Sequence, residues 1–224
     1  MRESSKTVHC LTDRELGALT GKGLDIGCGD DPVRPDVQHF DIEHGDANCV
    51  TQFVTELETF DYVFSSHCLE HMHDPRSAIE EWWKLVKPDG MMFVVVPDED
   101  LYEQGYWPSL FNSDHKSTFS ICKQQSWSPV SRNLLDLARA LPNGEIVSLR
   151  LQDQRYNRVY LAPGCWSHAV AEQAVRVRNN LVRRLPPLRW LFDGVCLLLH
   201  FPIDQTRGEA LAQNILIVTK KRTG

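Results

Sequence analysis

The run Leu24-Asp25-Ile26-Gly27-Cys28-Gly29 constrains this chain more than any other. A short apolar strand ends on two glycines one residue apart, which lets the backbone turn tightly and approach a ligand closely. Asp25 sits inside the strand end, where a buried carboxylate without a partner is costly. Just past the turn, Asp30 and Asp31 occupy the place where a dinucleotide fold offers a helix N-terminus to a pyrophosphate. Carboxylates there repel phosphate and suit a ligand that carries a cationic group and no phosphate.

Strand and helix alternate along the chain up to about residue 97. Thr12 and Glu15 form a capping box for a short helix before the first strand. Val37 to Ile42 reads as a second strand, and Phe60 to Phe64 as a third, ending at Ser65-Ser66-His67. Asp74 and Pro75 then start a helix in which Ala78, Ile79, Trp82, Leu85 and Val86 recur at helical spacing, stopped by Lys87-Pro88-Asp89-Gly90. Met91 to Val96 is a continuous apolar strand of the kind buried on both faces of a parallel sheet. Such alternation predicts a doubly wound α/β fold. Beyond it, residues 98–130 are polar and aromatic with little periodicity. A helix is expected over Ser131 to Leu141, a strand over Ile146 to Leu151, and a final strand over Asn214 to Val218. Between these two strands lies an insert, about 157–208, with one helix expected from the spacing of Trp166, Val170, Ala174, Val177, Leu181 and Leu185.

The anionic turn matches S-adenosylmethionine, which has an amino group, a sulfonium and a ribose but no phosphate; a nicotinamide dinucleotide fits badly. Asp41, at the end of the second strand, is placed as the acidic residue that accepts ribose hydroxyl hydrogens.

The segments LDIGCG (24–29), FDIE (40–43), FDYVFSSHCLEH (60–71), LVKPDGMMFVVVP (85–97) and QNILIVTKK (213–221) resemble, in order and spacing, the class I S-adenosylmethionine-dependent methyltransferases, above all the type 11 methyltransferase domain. The resemblance implies a Rossmann-like, seven-stranded, mostly parallel sheet with helices on both faces and an antiparallel last strand. It implies cofactor contacts from Asp25, Gly27 and Gly29 toward the methionine part, from Cys28 between them, from Asp41 to ribose, from Ile42 beside adenine, and from Ser65 and Ser66 in the turn that faces the cofactor. It implies a single methyltransferase domain over 1–224, with the cofactor core at about 20–97 and an acceptor loop at about 98–130. The sequence departs from the family in three places, one of them a stretch from Asp41 to Asp61 shorter than the family typically has. Asp31 stands where many members have a third glycine, and only residues 30–36 separate Gly29 from the next strand, so the first crossover is shortened below the dozen or so residues such a connection usually needs.

His67-Cys68-Leu69-Glu70-His71 also matches the H-x-x-E-H pattern of inverted zinc peptidases. The motif follows directly on a strand and Asp74-Pro75 restarts a helix at once, so no long helix carries both histidines, and no metal is expected. For the acceptor, the chain has neither an N-P-P-Y-like motif nor a Pro-Cys nucleophile, which favours a hydroxyl, amine or carboxylate of a small molecule or saccharide over a nucleic-acid base. In the loop, Tyr102, Tyr106, Trp107 and Asn112 are candidate acceptor contacts, and His115, beside Asp114, is the candidate base, since an imidazole titrates near neutral pH. Trp127 is a further stacking candidate.

Lys and Arg number 24 against 30 Asp and Glu, a net charge of -6 that gives no global sign of nucleic-acid binding. Basic residues concentrate instead in the insert, where Arg176, Arg178, Arg183, Arg184 and Arg189 flank the apolar run from Trp190 to Phe201; the 166–203 stretch is a candidate for peripheral membrane or dimer contact. Seven scattered cysteines without a CxxC pair, and a polar N-terminus, point to reduced thiols and a cytoplasmic protein. The expectation is thus a methyltransferase acting on a hydroxyl. The alternative is a non-catalytic protein that binds S-adenosylmethionine or S-adenosylhomocysteine and acts through a partner.

Overall fold

A computed structural model describes residues 3–161 and 163–222. Its strands are β1 (Gly23–Ile26), β2 (Gln38–Phe40), β3 (Phe60–Ser66), β4 (Val86–Pro97), β5 (Thr118–Ser120), β6 (Ser131–Asn133), β7 (Gly144–Gln152) and β8 (Gln213–Lys220). Its helices are α1 (Glu3–Val8), α2 (Asp13–Ala18), α3 (Pro75–Trp83), α4 (Leu134–Arg139), α5 (His168–Arg184) and α6 (Arg189–Leu198). Six strands form the main sheet in the order β2-β1-β3-β4-β8-β7. The β1–β2, β1–β3 and β3–β4 pairs are parallel, and β8 runs antiparallel to both β4 and β7.

Alternation along the inner strands splits the apolar side chains between two faces. Val63, Met92, Val94, Val96, Leu216 and Val218 pack with α3 and α4 on one side. Tyr62, Phe64, Phe93, Val95, Ile215 and Ile217 pack with Leu11, Leu19, Val33 and Val37 on the other. Helix α3 starts as its sequence predicts, with the Asp74 side chain accepting the Arg76 N–H, Pro75 in the first turn, and Ala78, Ile79, Trp82 and Trp83 turned inward, but it ends at Trp83, so that Leu85 lies past it and Val86 opens β4. Full burial of each of these large apolar side chains contributes about 1.5–3 kcal/mol.

The fold corrects the sequence reading in several places. The sheet has six strands, not seven, because residues 42–59 hold no strand: the chain turns at His44 and Gly45, whose N–H groups both reach the Asp41 carbonyl, and then winds one short 3-10 segment, Ala47–Gln52. Too few residues remain there for a helix and a strand. The first crossover has no helix at all; Val33 and Val37 fill the space beneath it. The helix expected over 131–141 begins three residues later, since Ser131–Asn133 pairs with Thr118–Ser120 as a small parallel ribbon. The insert holds two helices, α5 and α6, where one was expected, and α1 was not foreseen. Among the described residues, no helix is long and apolar enough to cross a membrane.

Candidate functional site

The carboxyl ends of β1, β2, β3 and β4 open onto one cleft, the place where open α/β sheets bind ligands. It has two lobes that share Gly27, Asp41, His67 and His71. The larger, about 730 Å³, is also lined by Ile42, Asp46, Ala47 and Met72. The smaller, about 350 Å³, is lined by Ser4, Cys28, Gly29, Asp30, Asp31, Ser66, Glu70, Tyr102, Asn112, His115 and Thr206.

The turn between the lobes is built by its glycines. Gly27 (φ +77°) donates its N–H to the Phe40 carbonyl at 2.7 Å, and a Cβ there would come within 2.5 Å of Cys68 Cβ. Gly29 (φ +51°) donates to Asp41 Oδ2 at 2.6 Å, while Asp41 Oδ1 accepts the Ile42 N–H at 2.6 Å. Asp41 is thereby fixed on the wall common to both lobes. Ile42, 92% exposed, stands at the rim of the larger lobe, where a large aliphatic side chain can cover a flat apolar ring. The smaller lobe holds the carboxylates of Asp30, Asp31, Asp41 and Glu70 without a lysine or arginine in its lining, an electrostatic setting for a cationic ligand.

Asp25 does not reach the cleft surface. It is fully buried, and its Oδ2 accepts the Val33 N–H at 2.7 Å, so it ties the helix-free crossover to the strand end. Burial first, then Asp31 and Asp41, push its carboxyl up to about 7 against the pull of that hydrogen bond. Cys28 lines the smaller lobe, but burial, Asp25 and Asp41 hold its thiol protonated, with a pKa pushed up to about 12. Ser66 lines the lobe, whereas Ser65 is buried beside it.

The 98–130 loop divides. Tyr102, Asn112 and His115 line the smaller lobe, and the Tyr102 ring leans on the His115 ring at 5.2 Å between centroids. Tyr106 and Trp107 do not line either lobe. The Tyr106 hydroxyl accepts the Trp166 N–H at 3.2 Å, and its ring meets His168 edge-on, so Tyr106 fastens the loop to the insert. Trp127 donates its indole N–H to Asp100. The sequence pairing of His115 with Asp114 is replaced by another: His115 Nδ1 lies 2.7 Å from Glu103 Oε1, both side chains buried, while Asp114 faces His71 Nδ1 at 3.0 Å.

One residue of the site carries no readable signal in the sequence, and a second carries one that points to a different geometry. Glu103 lies in a polar loop with no motif around it, and only its burial reveals it. Glu70 stands inside the H-x-x-E-H run, but that run folds as a single 3-10 turn, Leu69–His71, preceded by His67 at φ +55°. Instead of a His67–His71 pair on a helix, the fold brings Glu70 and His71 to His115, 44 positions on from His71 in a different loop. Burial works against the ionised form of Glu70, but the facing imidazoles of His67, His115 and His71 outweigh it and hold the carboxyl below its ordinary range.

A methyltransferase-domain family profile matches residues 10–121. No curated protein matches the chain by sequence. Among solved structures, a proposed sarcosine dimethylglycine methyltransferase from Galdieria sulphuraria shares 14% identity, with 97% of this chain and 85% of that one covered at a TM-score of 0.52. A proposed methyltransferase from Bacillus halodurans C-125 shares 13% identity, with 94% and 97% covered at a TM-score of 0.50. At that identity, these likenesses concern the fold.

Proposed function

The chain belongs to the S-adenosylmethionine-dependent methyltransferases, and from that premise we propose that it methylates a hydroxyl of a small molecule or saccharide. The cofactor, when bound, supplies an electrophilic methyl on a sulfonium. The larger lobe, with Ile42, Ala47 and Met72, would hold its adenine, and Asp41 its ribose. Its amino group and sulfonium would lie in the acidic smaller lobe, close to the backbone at Gly27 and Gly29. A Cβ at Gly27 has no room beside Cys68, which fits a backbone pressed against a ligand.

Methyl transfer from a sulfonium is an in-line displacement, so the chain's task is alignment plus removal of the acceptor's proton. The buried Glu103–His115 pair at the methionine end of the cleft carries this reading. Glu103 accepts from Nδ1, which leaves Nε2 of His115 as the basic nitrogen for an acceptor hydroxyl. Tyr102 and Asn112 border the same lobe as acceptor contacts. The test is transfer of labelled methyl from S-adenosylmethionine into fractionated metabolites. An alkali-stable ether product supports the reading; a base-labile ester or an N-methyl product overturns the hydroxyl assignment. Tight S-adenosylhomocysteine binding with no transfer to any fraction favours the non-catalytic alternative.

The insert is read as a surface for an anionic membrane or a lipid-linked acceptor. Helices α5 and α6 enclose an apolar groove of about 690 Å³; α6 leaves Trp190, Leu191, Val195 and Leu198 exposed, and Arg183 and Arg184 at the end of α5 and Arg189 at the start of α6 are exposed as well. Arg178 is not part of that basic surface, because it is buried against Asp193.

A further inference from the structure

We infer that Glu70, His71 and His115 bind one divalent first-row transition-metal ion at the acceptor end of the cleft. One donor atom from each lies within 4.8 Å of the other two. The inference deepens the hydroxyl-methylation reading and rests on it for the chemistry; binding itself needs no acceptor to be measured.

The argument turns on where the ring protons are. His115 Nδ1 faces the Glu103 carboxylate at 2.7 Å, so it carries the hydrogen and the lone pair is left on Nε2. His71 Nδ1 faces the Asp114 carbonyl at 3.2 Å and the Asp114 carboxylate at 3.0 Å, both acceptors, which leaves its lone pair on Nε2 as well. That nitrogen lies 4.0 Å from Glu70 Oε1. Glu70 is fully buried, and neither of its oxygens has a hydrogen-bond partner among the described residues. His67 approaches the same carboxylate, with Nδ1 3.4 Å from Oε1, but its Nε2 faces Gln213 Oε1 at 2.9 Å, while the Gln213 amide nitrogen donates to Thr7 and Gln152.

A buried carboxylate thus faces the outer nitrogens of two imidazoles, an arrangement that calls for positive charge among them, from protonated imidazoles or from a bound cation. Proton sharing between His71 and Glu70 would need a much shorter separation than 4.0 Å, whereas two ligands of a tetrahedral ion about 2.1 Å from each stand about 3.4 Å apart, so an ion would draw this pair together by about 0.6 Å. Two imidazoles and one carboxylate, with no thiolate, select Zn²⁺, Mn²⁺, Fe²⁺ or Co²⁺ over Ca²⁺. Glu103 and Asp114 supply what metal-bound histidines usually have, a carboxylate on the other ring nitrogen. A cation here would lower the pKa of the acceptor hydroxyl so that its proton could pass to solvent, and His115 would then serve as a ligand and not as the free base.

The test is titration of the untagged, chelator-stripped full chain with Co²⁺, followed by its visible absorption. One equivalent should bind, with bands more intense than those of the aqueous ion. Glu70→Gln and His71→Ala should each weaken binding by about a hundredfold or more, and Glu103→Gln by about 10–100-fold. His73→Ala, on the exposed turn before α3, should change nothing. An aqueous-ion spectrum in folded wild-type protein overturns the inference, as does unchanged binding in both Glu70→Gln and His71→Ala. A parallel titration with S-adenosylhomocysteine separates the two readings. Cofactor binding without a cobalt site removes the metal and leaves His115 as base; a cobalt site without cofactor binding does the reverse.

Discussion

Glu103 Oε1 lies 2.7 Å from Nδ1 of His115, and both side chains are buried where the 98–130 loop meets the cleft. His115 takes its orientation from a residue twelve positions earlier, not from its chain neighbour Asp114. A histidine fixed in this way is prepared for one task at one nitrogen. His115→Ala should slow methyl transfer by about 10²–10⁴-fold while S-adenosylhomocysteine affinity stays within about twofold. Glu103→Gln should fall between wild type and His115→Ala, since it keeps a hydrogen bond but removes the charge. Full turnover in His115→Ala, measured by labelled-methyl transfer, would leave the pair a purely structural role.

Asp41 stands on the wall shared by the two lobes, with one oxygen on the Gly29 N–H and the other on the Ile42 N–H. Asp41→Ala should weaken S-adenosylhomocysteine binding by about 1.5–3 kcal/mol, the scale of charge-assisted hydrogen bonds. Asp41→Asn, which retains one acceptor, should lose less. Calorimetry on both variants checks the order, and an unchanged dissociation constant in Asp41→Ala would remove the residue from the site.

Gly27 has φ +77°, and an added Cβ would stand 2.5 Å from Cys68 Cβ and 2.6 Å from its sulfur. Gly27→Ala should therefore cost about 1–3 kcal/mol of stability from backbone strain, with the clash added. Cys68→Gly in the same chain should recover the clash component and not the strain, so the two changes should be non-additive. Urea unfolding of the two single variants and the double variant measures this directly; simple additivity would mean that the two residues do not press on each other.

Asp25 gives the chain a pH dependence of unusual sign. Unfolded, it titrates near 3.8; folded, burial and then its acidic neighbours push it up to about 7. Between those values the folded chain holds a proton that the unfolded chain has released, so this group's contribution to stability falls as pH rises from about 4 to 7 and is level above. Asp25→Asn keeps an oxygen for the Val33 N–H but does not titrate, and its stability should change less across that window. Unfolding midpoints at pH 4.5, 6 and 7.5 provide the comparison, and equal slopes for both proteins would contradict the raised value.

The residues behind these predictions differ in how visible they are in the sequence. Gly27, Gly29 and Asp41 are legible because their roles are local: a turn of positive φ and a carboxylate at a strand end are written into consecutive residues. Helix α3 is legible for the same reason, with its cap, its proline and its inward stripe in one run. The missing strand is only half visible, since the short 42–59 segment shows a shortage of chain but not which element it omits. The Glu70–His71–His115 convergence is hidden because it joins a turn after β3 to a loop beyond β4, and sequence spacing carries no information about that approach. Tyr106 looks like an acceptor contact by its place in a polar-aromatic loop, yet its hydroxyl is used to hold the insert.

The insert supplies the last prediction. On α6, Trp190 is 71% exposed and Leu198 79%, far more than their apolar area would favour in water, and Arg183, Arg184 and Arg189 are exposed beside them. An apolar face with adjacent arginines binds an anionic lipid surface by two additive terms, one insensitive to salt and one screened by it. The chain should therefore sediment with vesicles of phosphatidylserine and phosphatidylcholine more than with phosphatidylcholine alone, and less so at about 0.5 M salt, where the screening length is only a few ångströms. Trp190→Ser with Leu198→Ser should lower vesicle affinity by roughly tenfold or more, because each buried apolar side chain is worth about 1.5–3 kcal/mol. Arg183→Glu with Arg184→Glu should abolish the preference for anionic vesicles while leaving the cleft's S-adenosylhomocysteine affinity unchanged. If wild-type protein sediments with neither vesicle and instead elutes as a dimer that the serine substitutions dissociate, the face joins two copies of this chain and the membrane reading fails.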